Sequence, residues 1–409
     1  MGKRAYFAKL IQDVRASYWF LPSSLVCMAV LVSELTLYID QNPDLLPFQL
    51  PKGLRDTQVE GARSIMTVIS QSVFGVAGVM FSMTVVAVTF ASGNYGPRLI
   101  GNFMRDRGNQ LSLGILVATF VYALLITRAI QSPTSEGSDL STELFIPHLS
   151  IAIALVATFV SLFTVIYFVH HIPETINVSN ITAGLGARLV SDLKALIDKK
   201  SGDDAPQVSF PTRAPDATIT LAHSGYIQTM NIAHLRQQAH DNDLLIDVPC
   251  PVGEFVTEGT EVLRVWGADI SDEDRTHLKE SLALGKSRTE NQNLLFIVDQ
   301  LVEMIARAMS PGVNDPFTAI NCLNWLHAGT VIAANFKGGL TDTMGGPVQI
   351  KQITFHEFLA AGFGASHHYA KSDPLCSRHL RLLLTQLADQ IKPPEHLKTL
   401  RAFSNQLED

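Results

Sequence analysis

The sequence is short of charge. Asp, Glu, Lys and Arg make up 17% of its 409 residues, against roughly a quarter in ordinary soluble domains. A net charge of −7 leaves no basic footprint of the kind nucleic acid requires, so no nucleic-acid partner is expected. Cysteine is scarce too. Cys27, Cys250, Cys322 and Cys376 show no C-x-x-C spacing and read as unpaired thiols in a reducing compartment. Enzyme signatures are missing: no Walker A, no H-E-x-x-H, no G-x-S-x-G and no Rossmann G-x-G-x-x-G. "AGLGARL" at 183–189 has only two of the glycines and no soluble strand before it. The chain is therefore not expected to be an enzyme, and no catalytic, cofactor-binding or metal-ligating residue is assigned. Solenoid repeats and low-complexity tracts are also lacking.

Apolar residues take the place of charge. They make up 47% of the chain and concentrate before residue 172. Four stretches reach the roughly 20 apolar residues that span a bilayer: about 17–39, 66–91, 110–131 and 147–170. The first is not read as a signal peptide, because its apolar run is too long and no A-x-A site follows. Lys and Arg near helix ends set orientation. Lys3, Arg4, Lys9 and Arg15 precede span one, and Arg98, Arg105 and Arg107 follow span two, whereas the loop between spans three and four has no Lys or Arg. Lys52, Arg55 and Arg63 between spans one and two weaken the contrast. Both termini are expected on the cytoplasmic side.

The expected fold is an α-helical membrane protein with a cytoplasmic α+β region. Residues 1–176 hold four transmembrane helices, and 177–216 an exit helix and a Pro/Asp-rich linker. Residues 217–268 alternate apolar and polar as half-buried strands do, around a short helix in IAHLRQQAHDND. Turn glycines Gly253 and Gly259 separate strand runs and resemble the hammerhead turns of biotinyl- and lipoyl-type barrels. The carrier lysine is absent, so only a small β-barrel-like subdomain is expected. Residues 269–409 read as helical, with helices at about 271–285, 290–309, 315–336, 355–371, 374–391 and 394–407, and a hairpin at 338–355.

The stretch SPGVNDP, 310–316, interrupts a helical pattern. Pro311 stops the first helix at Ser310, and Gly312 turns the chain. Asp315 caps the next helix, and Pro316 sits where its missing N–H costs nothing. This accounts for a structural joint but leaves Asn314 unexplained, so Asn314 and Asp315 stand as a candidate site of the soluble region.

Span two carries a stripe of small and weakly polar residues at steps of three and four: Thr67, Gln71, Gly75, Gly78, Ser82, Val85 and Thr89. Two readings fit. Small residues let membrane helices pack closely, or hydroxyls and backbone line a pore, with Phe74 or Phe81 as a constriction. A pore would need several copies around an axis. Arg98, Arg105 and Arg107 read as positive-inside anchors, or as contacts for lipid headgroups or anions. Glu34 and Arg128 lie near outer helix ends and either snorkel separately or pair. His170 and His171 point about 100° apart on a helix and cannot readily chelate one metal.

Four segments carry a resemblance. Ala308–Ala319 matches A-x-SPG-[IV]-NDP-x-TA, and TFASGNYGPRLIGNFMRDRGNQ at 89–110 matches AS-x-x-x-x-PRL-x-x-x-F-x-x-D. IYFVHHIPETI at 166–176 and GEFVTEGT at 253–260 complete the set. In these segments the chain resembles a bacterial family of predicted membrane proteins, the domain of unknown function "twenty-two fifty-four". KSRTENQNLLF at 286–296 departs from the family's Q-D, so no role passes to Asn291 or Gln292. The resemblance implies four spans and a cytoplasmic domain, and no activity. Together these readings predict a multi-pass protein of the bacterial inner (cytoplasmic) membrane. It is expected to be a homo-oligomeric channel or pore-like protein that contacts lipid and passes an ion or small solute. The alternative is a non-conducting scaffold or sensor whose soluble domain binds a partner or ligand.

The topology is testable. Reporter fusions at residues 140 and 409 should report opposite sides of the membrane. The same side for both would remove the four-span arrangement.

Overall fold

A computed structural model of the chain describes residues 14, 17–45, 58–130, 145–201, 208–267, 270–290, 292–341 and 346–408. They fall into two units. One is Val14–Gly93 with Leu99–Asn177, and the other joins Asn94–Arg98 to the chain from Val178 onward.

The first unit holds four helices long and apolar enough to cross a membrane: α1 (Phe20–Gln41), α2 (Val59–Tyr95), α4 (Arg107–Ala129) and α5 (His148–Thr175). A short helix, α3 (Ile100–Met104), precedes α4. The helix α2 has 37 residues, well beyond the roughly 20 that a bilayer requires. α1, α4 and α5 pack on one another. Ala62, Met66, Ile69, Val73, Ala77 and Met80 bring α2 into the same apolar core, and their steps of three and four are the stripe that a 3.6-residue period places on one face.

Several polar groups of this unit find partners inside it. Asp40, at the end of α1, accepts hydrogen bonds from Leu149 N, Ser150 N and Ser150 Oγ at 2.7–2.9 Å. It caps α5 from 110 residues away in sequence. Tyr122 Oη shares a 3.0 Å hydrogen bond with Thr36 Oγ1 and donates to Ser150 O at 3.2 Å. Thr84, Thr127, Thr158 and Thr164 return their hydroxyls to carbonyls four residues back. The pairing of Glu34 with Arg128 does not form among the described residues, and both side chains are exposed.

The second unit starts with α6 (Val178–Ser201). Among the described residues, seven strands then make two sheets. Ala217–Thr220 (β1), Glu261–Trp266 (β5), Leu245–Val248 (β3) and Val348–Ile350 (β7) form one, in the order β1-β5-β3-β7. Phe255–Val256 (β4), Gly225–Met230 (β2) and Leu282–Gly285 (β6) form the other, in the order β4-β2-β6. Their apolar faces share one core with α7 (Ile232–Asp241) and α8 (Asp272–Lys279). Gly253 and Gly259 have φ of +93° and +83°, as turn glycines should.

Two sequence expectations differ here. The described strands form two sheets and do not close into a barrel. Residues 271–285 are α8 followed by β6, not one helix. LALG is too short for its apolar run to distinguish helix from strand, and antiparallel pairing with β2 decides it. The 338–355 stretch does return on itself, with Leu340 N bonded to Ile353 O at 2.8 Å, yet its strand β7 pairs in parallel with β3.

The remaining helices are α9 (Leu294–Ala308), α10 (Pro316–Ala334), α11 (Phe355–Leu359), α12 (Ala365–Ala370), α13 (Pro374–Gln390) and α14 (Pro394–Glu408). A π-helical turn at Ala360–Gly364 joins α11 to α12. α10 is central and packs on α6, α9 and α13. Gly186 lets α6 meet α10 closely, since a Cβ there would lie 2.2 Å from the Trp325 ring.

Two glycines of α6 should therefore respond oppositely to alanine. Gly184 faces open space, so Gly184→Ala should stabilise by ~0.5–1 kcal/mol through lower chain entropy in the unfolded state. Gly186→Ala should destabilise by ~1–3 kcal/mol through overpacking. Denaturant titration of the purified protein checks both signs.

Candidate functional site

The helix α2 has two unlike faces. Its buried face includes Val73 and Met80, at 6% and 3% exposure. The small-residue stripe lies roughly 160° away, at ~100° of rotation per residue. Gln71, Gly75, Gly78, Ser82, Val85 and Thr89 are exposed there, and Thr67 is half-buried. A Cβ added to Gly75 or Gly78 would meet nothing within 4 Å. Thr89 returns its hydroxyl to Val85 O at 2.8 Å. Phe74 and Phe81 flank the stripe on one side, both exposed, with Phe74 also against Phe120 at 4.7 Å between ring centroids.

The three arginines after α2 fall in different units. Arg98 belongs with the second unit, where it pairs with Glu303 at 3.5 Å. Arg105 and Arg107 belong to the membrane-type unit and are exposed. Asp106 between them accepts from Asn109 N and so caps α4, and it also meets His171 Nε2 at 2.9 Å. His171 stacks on Tyr167. His170 instead faces Glu174 at 3.4 Å, largely in the open, so the two histidines serve separate partners. No group of three or more His, Cys, Asp or Glu side chains that could hold a metal occurs among the described residues.

In the second unit the SPGVNDP joint is built as its residue types dictate. Asn314 has φ +46°, a left-handed geometry that Asn tolerates better than most residues. Asp315 caps α10: its Oδ1 accepts from Thr318 N at 3.1 Å and its Oδ2 from Thr318 Oγ1 at 2.5 Å. Pro316 is the first helical residue. Val313 and Phe317 beside it are exposed.

The start of α9 is a polar centre that the sequence reading did not single out. Glu290 accepts from Arg188 Nη2 at 2.7 Å and from Gln300 Nε2 at 3.3 Å. The same Gln300 amide donates to Arg98 O at 3.3 Å. Arg288 pairs with Asp299, yet burial outweighs that partner and holds the Asp299 carboxyl above the usual carboxylate range. Gln292, at φ +55°, brackets the Met230 backbone with both amide atoms at 3.0 Å. Asn293 is 5% exposed and stands at the N-cap of α9 without making a cap hydrogen bond. Its N-cap-type side chain before an apolar run was the available signal. Its burial depends on partners distant in sequence.

The family model described as Predicted membrane protein (DUF2254) matches residues 15–386. The chain belongs to that family. Uncharacterized proteins of Mycobacterium tuberculosis and Mycobacterium bovis are each 28% identical to it over 344 residues, covering 81% of this chain and 65% of each relative. The chain thus spans less than two thirds of those relatives' length. No solved structure matches it.

The SPGVNDP joint of this DUF2254 member yields a stability test. Asp315→Ala removes both bonds to Thr318 and should destabilise the protein by ~1 kcal/mol, whereas Asp315→Ser, which retains a capping oxygen, should recover most of the loss. Unchanged denaturation of Asp315→Ala would mean that the cap is not what the aspartate supplies.

Proposed function

We propose that the chain is an integral protein of the bacterial inner membrane, with both ends cytoplasmic, and that its copies assemble through α2 into a pore-like oligomer. The C-terminal unit assembles or gates it, and no catalysis is involved. One observation carries this reading: the face of α2 with Thr67, Gln71, Gly75, Gly78, Ser82 and Thr89 points away from the helix's own packed core. In lipid, a glutamine amide would lose its hydrogen bonds to water at a cost of ~2–7 kcal/mol. Glycine also gives lipid less apolar surface than a bulky residue and favours close helix approach instead. Another copy or a water-filled path satisfies both demands. Val68, Val79, Val86 and Phe90, exposed on a neighbouring arc, suit lipid.

A second reading, a non-conducting scaffold or sensor, draws support from the polar centre at the start of α9. Ion flux through purified protein in liposomes separates the two.

The stripe itself is tested by single cysteines at Gln71, Gly75, Gly78, Ser82 and Thr89 in a Cys27→Ser background, since Cys27 is exposed. Labelling by a hydrophilic thiol reagent along the stripe supports a water-lined path. Disulfide cross-links between copies without labelling support packing alone. Neither result at any position would mean that lipid covers the stripe, and the oligomeric reading would fall. Gly78→Leu should abolish flux with the oligomer retained if the glycine lines a path, and should dissociate the oligomer if it packs.

A further inference from the structure

Two adjoining cavities open in the C-terminal unit at the start of α9, of about 340 Å³ and about 230 Å³. Pro251, Val252, Asn293 and Ile353 line both, so they form one bipartite site. The larger alone reaches the range of small-molecule pockets, ~300–1,000 Å³. Its apolar lining comes from Ala195 and Leu196 of α6, Val252 of the turn before β4, and Leu294, Leu340 and Ile353.

The buried polar atoms left unmatched beside the two cavities, among the described residues, are donors. Asn293 is buried at 5% exposure, it lines both cavities, and its Nδ2 has no hydrogen-bond partner among the described residues. Gly253, at φ +93°, makes room for that amide, because a Cβ there would sit 1.9 Å from Nδ2. Arg288 lines the smaller cavity, and its buried Nε is likewise without a partner. The 15-residue helix α9 begins at the junction with no side-chain cap, which leaves its first N–H groups and the positive end of its dipole there. A buried donor left unmatched costs ~1–3 kcal/mol, and an unmatched amide at a helix N-terminus suits an acceptor of negative charge.

Charge narrows the class. Asp192 and Glu290 line the larger cavity beside Lys199, and Glu254 and Glu357 line the smaller beside Arg288 and Lys351. A di- or triphosphate would meet four carboxylates. A singly charged head on an apolar body would not need to displace them.

We propose that this site binds a small amphipathic carboxylate, its head on Asn293 Nδ2 and the α9 N-terminus and its apolar body against Leu196, Val252 and Ile353. The site lies wholly within the C-terminal unit and does not depend on how the membrane helices assemble. Hexanoate is the probe, and hexanol and inorganic phosphate are the controls, read as shifts in the melting midpoint of the purified full-length protein. Hexanoate should raise the midpoint saturably, as a ligand of the folded state does, and hexanol and phosphate should not. Asn293→Asp is nearly isosteric and adds a carboxylate that suits a helix N-terminus, so the unliganded protein should melt no lower. Its hexanoate affinity should fall at least tenfold. Ala195→Trp, which fills the apolar wall from an exposed position of α6, should weaken hexanoate by a similar factor and serves if Asn293→Asp does not fold. No hexanoate shift in the wild type, an equal shift in the folded variants, an equal shift with hexanol, or a shift with phosphate and not hexanoate would each overturn the proposal.

Discussion

Inside hydrocarbon a polar group must find its partner within the protein, because there is no water to supply one. The membrane-type unit is arranged around that constraint. Asp40 takes the first backbone donors of α5. Tyr122 ties α4 to Thr36 of α1 and to the backbone of α5. Ser161 Oγ and Thr119 Oγ1 meet at 3.0 Å between α5 and α4. These bonds join helices whose contacts are otherwise apolar and small, so they fix register where packing alone would allow sliding. The stripe on α2 stands out against this background. Its Gln71 and Ser82 face away from the packed core, while Thr89 returns its hydroxyl to Val85 O within the helix.

The C-terminal unit obeys the related rule for helix ends. Asn231, Ser271, Asp315, Thr354 and Asp373 each supply a side-chain oxygen to the first turn of the helix that follows. Ser271 and Thr354 do so in reciprocal capping boxes with Asp274 and Glu357. Such caps contribute ~0.5–2 kcal/mol each. At α9 the N-cap asparagine makes no such bond and lies against Gly253 instead.

Much of this was legible in the sequence because it is local. Span positions follow from apolar run length, the turn at Gly253 from strand punctuation, and the Asp315–Pro316 cap from residue types with a fixed role at helix starts. A 3.6-residue period puts Val73 and Met80 opposite the small-residue stripe of α2, but the period does not say which of the two faces the chain buries. What could not be read is non-local. Asp40 caps a helix 110 residues on. β7 joins β3 in parallel across about 100 residues of chain, with Ile246 opposite Val348. LALG at 282–285 becomes a strand only because β2 lies beside it. Asn293 becomes buried because residue 253, forty positions earlier, has no side chain to fill the space. No periodicity encodes that meeting.

One buried amide connects these themes. Gln300 is 1% exposed. Its Nε2 serves Glu290, which lines the larger cavity, and the carbonyl of Arg98, three residues beyond the end of α2. Both bonds are 3.3 Å long, beyond the 2.9–3.0 Å optimum for N–H···O, so the amide is held between two acceptors and is not closed tightly on either. Arg98 is fixed a second time through Glu303, one turn further along the same helix α9. Gln300 and Glu303 thus both hold the Arg98 segment to α9 within the C-terminal unit.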